Sequence, residues 1–81
     1  RLVAVVLQNK KGENLVIATS NALTNRQAVL YSSLVYEHIL ETYRTANSTQ
    51  EGAAIERTLV LESNLLCVLN INKDFILYVF V

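Results

Sequence analysis

The sequence predicts an α+β domain: a five-stranded antiparallel sheet with one helix, in the order strand, strand, helix, strand, strand, strand. Two observations carry this. Short apolar runs of strand length flank a single long segment, Thr24 to Arg44, that contains neither Gly nor Pro. Apolar residues make up 52% of the 81 positions and charged residues 17%, with basic and acidic side chains in balance at zero net charge. That composition supports a packed core, excludes a disordered chain, and leaves no basic footprint for nucleic acid or anionic lipid. The length suits one domain over residues 1–81. A single cysteine, Cys67, cannot form an internal disulfide, which removes the stapled secreted class.

Leu2 to Leu7 is a continuous apolar run and reads as a first strand covered on both faces. Gln8 to Asn14 is polar, with Gly12 placed to supply a positive φ for a hairpin turn, and Leu15 to Thr19 is the returning strand. Thr24 followed by Gln27 is a capping-box pattern. It opens a helix over Ala28 to Arg44 that frays through the polar stretch Thr45 to Gln50, and Glu51-Gly52 closes the loop. Ile55 to Leu61 is the most polar strand, as suits an edge. Glu62-Ser63-Asn64 turns into Leu65 to Leu69, and Asn70 to Asp74 leads into a last strand over Phe75 to Val81.

On a helical wheel starting at Ala28, residues Tyr31, Val35, Ile39 and Tyr43 fall at about 300°, 340°, 20° and 60°, a stripe that faces the sheet. Val29, Tyr36 and Leu40 widen it. Leu30 and Leu34 fall at about 200° and about 240°, on the far side with Glu37 and Glu41. A solitary helix on a sheet has a polar outer face, so two leucines there predict a covering partner. The strands carry apolar groups on both faces, and one helix covers only one of them. Further helices outside this chain are expected on the other. The apolar runs that meet both ends, at Leu2 and at Val81, point the same way.

Catalytic chemistry finds little support. His38, the only histidine, lies beside the core stripe with no motif around it, and reads as structural. Cys67 sits in an apolar strand, where a thiol packs as a small hydrophobe with a raised pKa. Two scattered ligands do not make a zinc site, and no Gly-rich phosphate loop follows a strand. Glu37 and Glu41, one turn apart, read as an interfacial face rather than a carboxylate pair. Lys10-Lys11 is a charged turn. Asn47-Ser48-Thr49 matches the glycosylation triplet, a match common by chance. No signal peptide and no membrane-length apolar run occur in these residues. The expectation is a protein that is not an enzyme and holds no cofactor or metal.

The hairpin from Val5 to Ser20, with its polar Gly-containing turn and an apolar strand ending in Ala18-Thr19-Ser20, resembles the first hairpin of Roadblock/dynein light chain domains. The stretch Glu56 to Leu69 is similar to the later strands of small Ragulator and EGO scaffold subunits, although those domains commonly carry more Gly between strands than is present here. The resemblance implies a Roadblock-like domain, with one helix before Arg1 and another after Val81. It also implies a dimer in which this helix packs on its counterpart while the third strand pairs edge to edge. Leu30, Leu34, Glu37 and Glu41 then lie at the helix contact, and Arg57, Leu59 and Leu61 on the pairing edge. The function implied is a non-catalytic scaffold that recruits Rag-type GTPases to the cytoplasmic face of the lysosome or vacuole for TOR signalling, with membrane attachment through another, lipidated subunit. The partner expected is another Roadblock-like subunit. A heterodimer is favoured over a homodimer, because Glu37 and Glu41 facing their own copies would repel. A dynein light chain, a longin-type trafficking subunit and a small-GTPase regulator of the Roadblock class are the alternatives.

Overall fold

A computed structural model describes residues 1–46, 55–62 and 64–81, and side chains for 1–39, 56–62 and 64–81. The elements are β1 (Ala4–Asn9), β2 (Asn14–Thr19), α1 (Asn25–Ala46), β3 (Ile55–Glu62), β4 (Leu65–Ile71) and β5 (Phe75–Phe80). The five strands form one sheet in the order β2-β1-β5-β4-β3, with every neighbouring pair antiparallel. The α+β class and the five-stranded antiparallel sheet expected from the sequence are both present.

Register explains the core. On the helix-covered face, Thr19, Ala4, Phe80, Cys67 and Leu59 form one row across the sheet. Ile17, Val6, Tyr78, Leu69 and Arg57 form the next. Small Ala4 and Cys67 flank the large ring of Phe80, so small and large side chains interdigitate along the row. Val6, Cys67, Leu69, Tyr78 and Phe80 are fully buried. From α1, Ala28, Ser32, Val35 and Ile39 complete this core, at the spacing of one helical face.

Several boundaries differ from the sequence reading. β1 runs from Ala4 to Asn9 rather than from Leu2 to Leu7, and Gln8, expected in a polar turn, is a buried strand residue. The polarity of Gln8 is satisfied: Tyr78 Oη donates to Gln8 Oε1 at 2.8 Å, and Gln8 Nε2 donates to Asn14 Oδ1 at 2.9 Å. A buried amide with both ends bonded behaves as core. α1 continues through Thr45 and Ala46, which the polar loop was expected to claim. β4 continues to Ile71, because Ile71 completes the apolar alternation begun at Leu65. Ser32, missed as a core position, is buried with its Oγ donating to the Ala28 carbonyl at 2.7 Å. Tyr31 lies at the edge of the buried stripe, half-exposed, rather than inside it. The expected core side chains of Leu40 and Tyr43, the loop from Asn47, the Glu51-Gly52 closure and the turn residue Ser63 lie outside the described residues.

Other local readings hold. The capping box forms in full: Gln27 Oε1 accepts from the Thr24 N–H at 2.9 Å, and Thr24 Oγ1 accepts from the Gln27 N–H at 3.1 Å. Gly12 takes φ 85° in the β1–β2 turn. Asn9 Oδ1 holds that turn by accepting from the N–H groups of Lys11 and Glu13. Asn72 does the same for the β4–β5 turn, accepting from Asp74 and Phe75. With no Pro in the chain, asparagine side chains supply the turn chemistry. Among the described residues β3 pairs with β4 alone and is an edge, as its polarity indicated.

A Cβ at position 12 would meet nothing within 4 Å, so the cost of replacing Gly12 is purely conformational. Gly12→Ala is expected to lower the unfolding free energy by about 1–2 kcal/mol. Urea denaturation should show an unchanged m-value and a lower midpoint.

Candidate functional site

The helix backbone comes closest to β1 and β2, and its small residues Ala28 and Ser32 are fully buried. β3 forms the edge of the sheet opposite β2, and side chains of α1 face it. Between them is an open groove of about 230 Å³ lined by Leu34, Val35 and His38 of α1 and by Leu59, Val60 and Leu61 of β3. Leu34, Leu59 and Leu61, expected at an interface from distant parts of the sequence, thus share one surface.

The individual positions are informative. Leu30 is 58% exposed and Leu34 is 53% exposed, on the outer face of α1 as the wheel placed them. Glu37 is exposed on the same side. Leu59 and Leu61 are half-buried and pack against the core as well as lining the groove. Arg57 is exposed on β3, in the row of Leu69 and Tyr78. The side chain of Glu41 lies outside the described residues. Val60, at 74% exposure, was missed by the sequence reading. It sits on the other face of the edge strand and offers a β-branched side chain beside the open edge. Its position in an edge strand, between Leu59 and Leu61, was the available signal.

At one end of the groove Tyr31 Oη donates to Glu62 Oε1 at 2.5 Å, tying α1 to the end of β3. This bond, with partial burial and the carboxylate's charge, raises the Tyr31 phenol above its ordinary pKa. His38 is exposed on the groove wall among apolar side chains.

A second apolar surface lies on the sheet face away from α1. Its rows are Ala18–Val5–Val79–Val68 and Val16–Leu7–Leu77, with Leu66 and Val60 paired beyond them. Their register confirms apolar groups on both faces of the sheet. Thr58 and Asn70 extend these rows toward the β3 edge, where the second row ends at Glu56.

Burial pushes the Cys67 thiol up to about 12. The Tyr78 phenol is also held well above its usual value, by burial first and then by the neighbouring Cys67 and Tyr36. A protonated, enclosed thiol is a poor nucleophile and a poor metal ligand. Among the described residues no group of three His, Cys, Asp or Glu side chains comes together to hold a metal ion. No described helix is long and apolar enough to cross a membrane.

Cys67 should therefore resist thiol reagents at pH 8 in the native protein and react stoichiometrically once urea unfolds it. Both Cys67 and Tyr78 bind their protons more tightly folded than unfolded. Their contribution to stability is complete below about pH 9 and is lost as pH rises toward the folded-state pKa of Cys67, about 12. Thermal melts should reveal a falling Tm across that alkaline range. No family model matches the chain, and no curated protein matches it either.

Proposed function

We propose that the chain is a non-catalytic, dimerising scaffold subunit that works through the surface formed by α1 and β3. The observation that carries this reading is the exposure of Leu30 and Leu34 beside an apolar groove that runs onto an open sheet edge. Burying one such leucine contributes about 1.5–3 kcal/mol, enough for two per subunit to drive association once ordering costs are met. An unpaired edge strand next to them offers backbone hydrogen bonds that set register. The enclosed thiol of Cys67 and the apolar setting of His38 favour a binding role over a chemical one.

The resemblance to Roadblock/dynein light chain domains extends this reading. It makes the chain a subunit of a Ragulator- or EGO-like assembly that, with another Roadblock-like subunit, recruits Rag-type GTPases at the lysosomal or vacuolar surface for TOR nutrient signalling. Membrane attachment is then indirect, through a lipidated neighbour. The two-strand, helix, three-strand order and the quoted hairpin residues support this assignment.

Leu34→Glu tests the surface. The substitution adds a charge at an exposed position, so the circular dichroism spectrum and melting temperature should stay near those of the parent. Association with the partner subunit should weaken at least tenfold by sedimentation or calorimetry. Purified Rag-type GTPase heterodimers should be retained by the assembled dimer and not by the Leu34→Glu protein. Unchanged association of the variant would refute the surface; a dimer that ignores Rag-type GTPases would refute the Ragulator assignment alone.

A further inference from the structure

We infer that the β2 edge of the sheet pairs antiparallel with β2 of a second copy of this chain, about a two-fold axis at Ala18. This surface is separate from that of α1 and β3, and among the described residues no strand lies beyond it. The two edges of the sheet are built differently. β3 carries Glu56, Arg57 and Glu62, charges of the kind that guard an edge against further pairing. β2 carries none, and the sequence from Asn14 to Asn25 holds no charged residue. Leu15, Val16, Ala18 and Ser20 are all exposed.

The ladder fixes which backbone groups β2 offers. Leu66 and Val81 exchange both N–H···O bonds at 2.9 Å, so the bonded pairs of β4 and β5 continue at Val68–Val79 and Asn70–Leu77. Bonding direction alternates along a strand. Ala4, Val6 and Gln8 of β1 thus bond to β5, while Val5 and Leu7 bond to Ala18 and Val16 of β2. The bond from the Ser20 N–H to the Val3 carbonyl, at 2.9 Å, follows the same alternation. Ile17 and Thr19 therefore turn their N–H and C=O groups outward. The register shift between Leu7 and Gln8 lies beyond them, and Val16 to Thr19 pairs with β1 without a break.

A second copy fits this edge. With the axis at Ala18, Ile17 of each copy faces Thr19 of the other, so that every outward N–H and C=O of these two residues is bonded. Ala18 meets Ala18 in the non-bonded position, where paired Cα atoms come closest, about 4.5 Å, and a small side chain suits that approach. Val16 faces Ser20, and no like charges meet. On the open face the row Val68–Val79–Val5–Ala18 runs on into the same row of the second copy, reversed. Both helices stay on the other face, because the axis is perpendicular to the sheet. β3 of a second copy would instead bring Glu56, Arg57 and Glu62 against a strand with no charge to meet them. With a partner subunit on α1 and β3, the assembly becomes two dimers joined through β2.

Leu34→Glu isolates this edge from the other surface. Sedimentation equilibrium of the Leu34→Glu chain should still show a dimer. Adding Ala18→Lys sets two cations together at the axis and should weaken that dimer about tenfold. Circular dichroism and melting temperature should hold, because Ala18 is exposed. Amide exchange at Ile17 and Thr19 should slow as the dimer forms. Mild oxidation should crosslink Ala18→Cys to its copy and leave Val16→Cys free, since the two copies of residue 16 stand about 14 Å apart. A Leu34→Glu chain that is monomeric at every accessible concentration would overturn the pairing. So would a dimer indifferent to Ala18→Lys, or Val16→Cys crosslinked as readily as Ala18→Cys. Slow exchange of Ile17 and Thr19 in a monomer would give the edge to another part of the chain. Protection that appears only with an added partner subunit would give it to that subunit. Either result rejects the second copy, and neither bears on the binding surface around Leu34.

Discussion

The close approach of the α1 backbone to β1 and β2 is the contact on which the rest of the molecule depends, with Ala28 and Ser32 fully buried on the inner face of the helix. Larger side chains at those two positions would have to displace the helix from its packed place. The hydroxyl of Ser32 is buried at little cost because it bonds back to the Ala28 carbonyl. With its inner face committed to the sheet, α1 leaves Leu30 and Leu34 exposed and an open groove between Leu34 and β3. The exposed outer face and the groove follow from core packing and need no separate structural device.

Buried polarity in this fold serves register. Tyr78, Gln8 and Asn14 form a hydrogen-bonded line from the middle of the sheet to the β2 edge. A one-residue slip of β1 would turn Gln8 to the open face and leave Tyr78 Oη buried without an acceptor, a cost of about 1–3 kcal/mol. The line sits where the β1–β2 register shifts between Leu7 and Gln8. It closes the irregularity with side-chain bonds, in the same way that Asn9 and Asn72 close the adjoining turns.

The two apolar surfaces differ in what they can specify. The rows of Val5, Leu7, Val68, Leu77 and Val79 offer burial without charge, and so without strong orientation. The outer face of α1 places its leucines between Arg26 and Glu37. An uncharged apolar face and a helix face on which leucines stand beside charged residues thus lie on opposite sides of one sheet.

Much of this was legible in the chain itself, for local reasons. Thr24 and Gln27 read as a capping box because three residues of spacing suffice to make one, and Gly12 read as a turn because few other residues accept its φ. Leu30 and Leu34 read as outward because helical periodicity is regular enough to place them from Ala28. The polarity of Glu56, Arg57 and Thr58 marked β3 as an edge. Other features depended on neighbours remote in sequence. Gln8 reads as a turn residue until Tyr78, seventy positions away, supplies its partner. Ser32 reads as neutral until it is seen fully buried, and Val60 becomes notable only when β3 is known to line an edge groove with α1. What the residues alone determined is periodicity, caps and turns, which short-range sterics and hydrogen bonds control. Which side of the sheet the helix occupies, and therefore which leucines share a surface with the β3 edge, was decided by tertiary packing, because only contact between distant segments sets where the smallest gap must close.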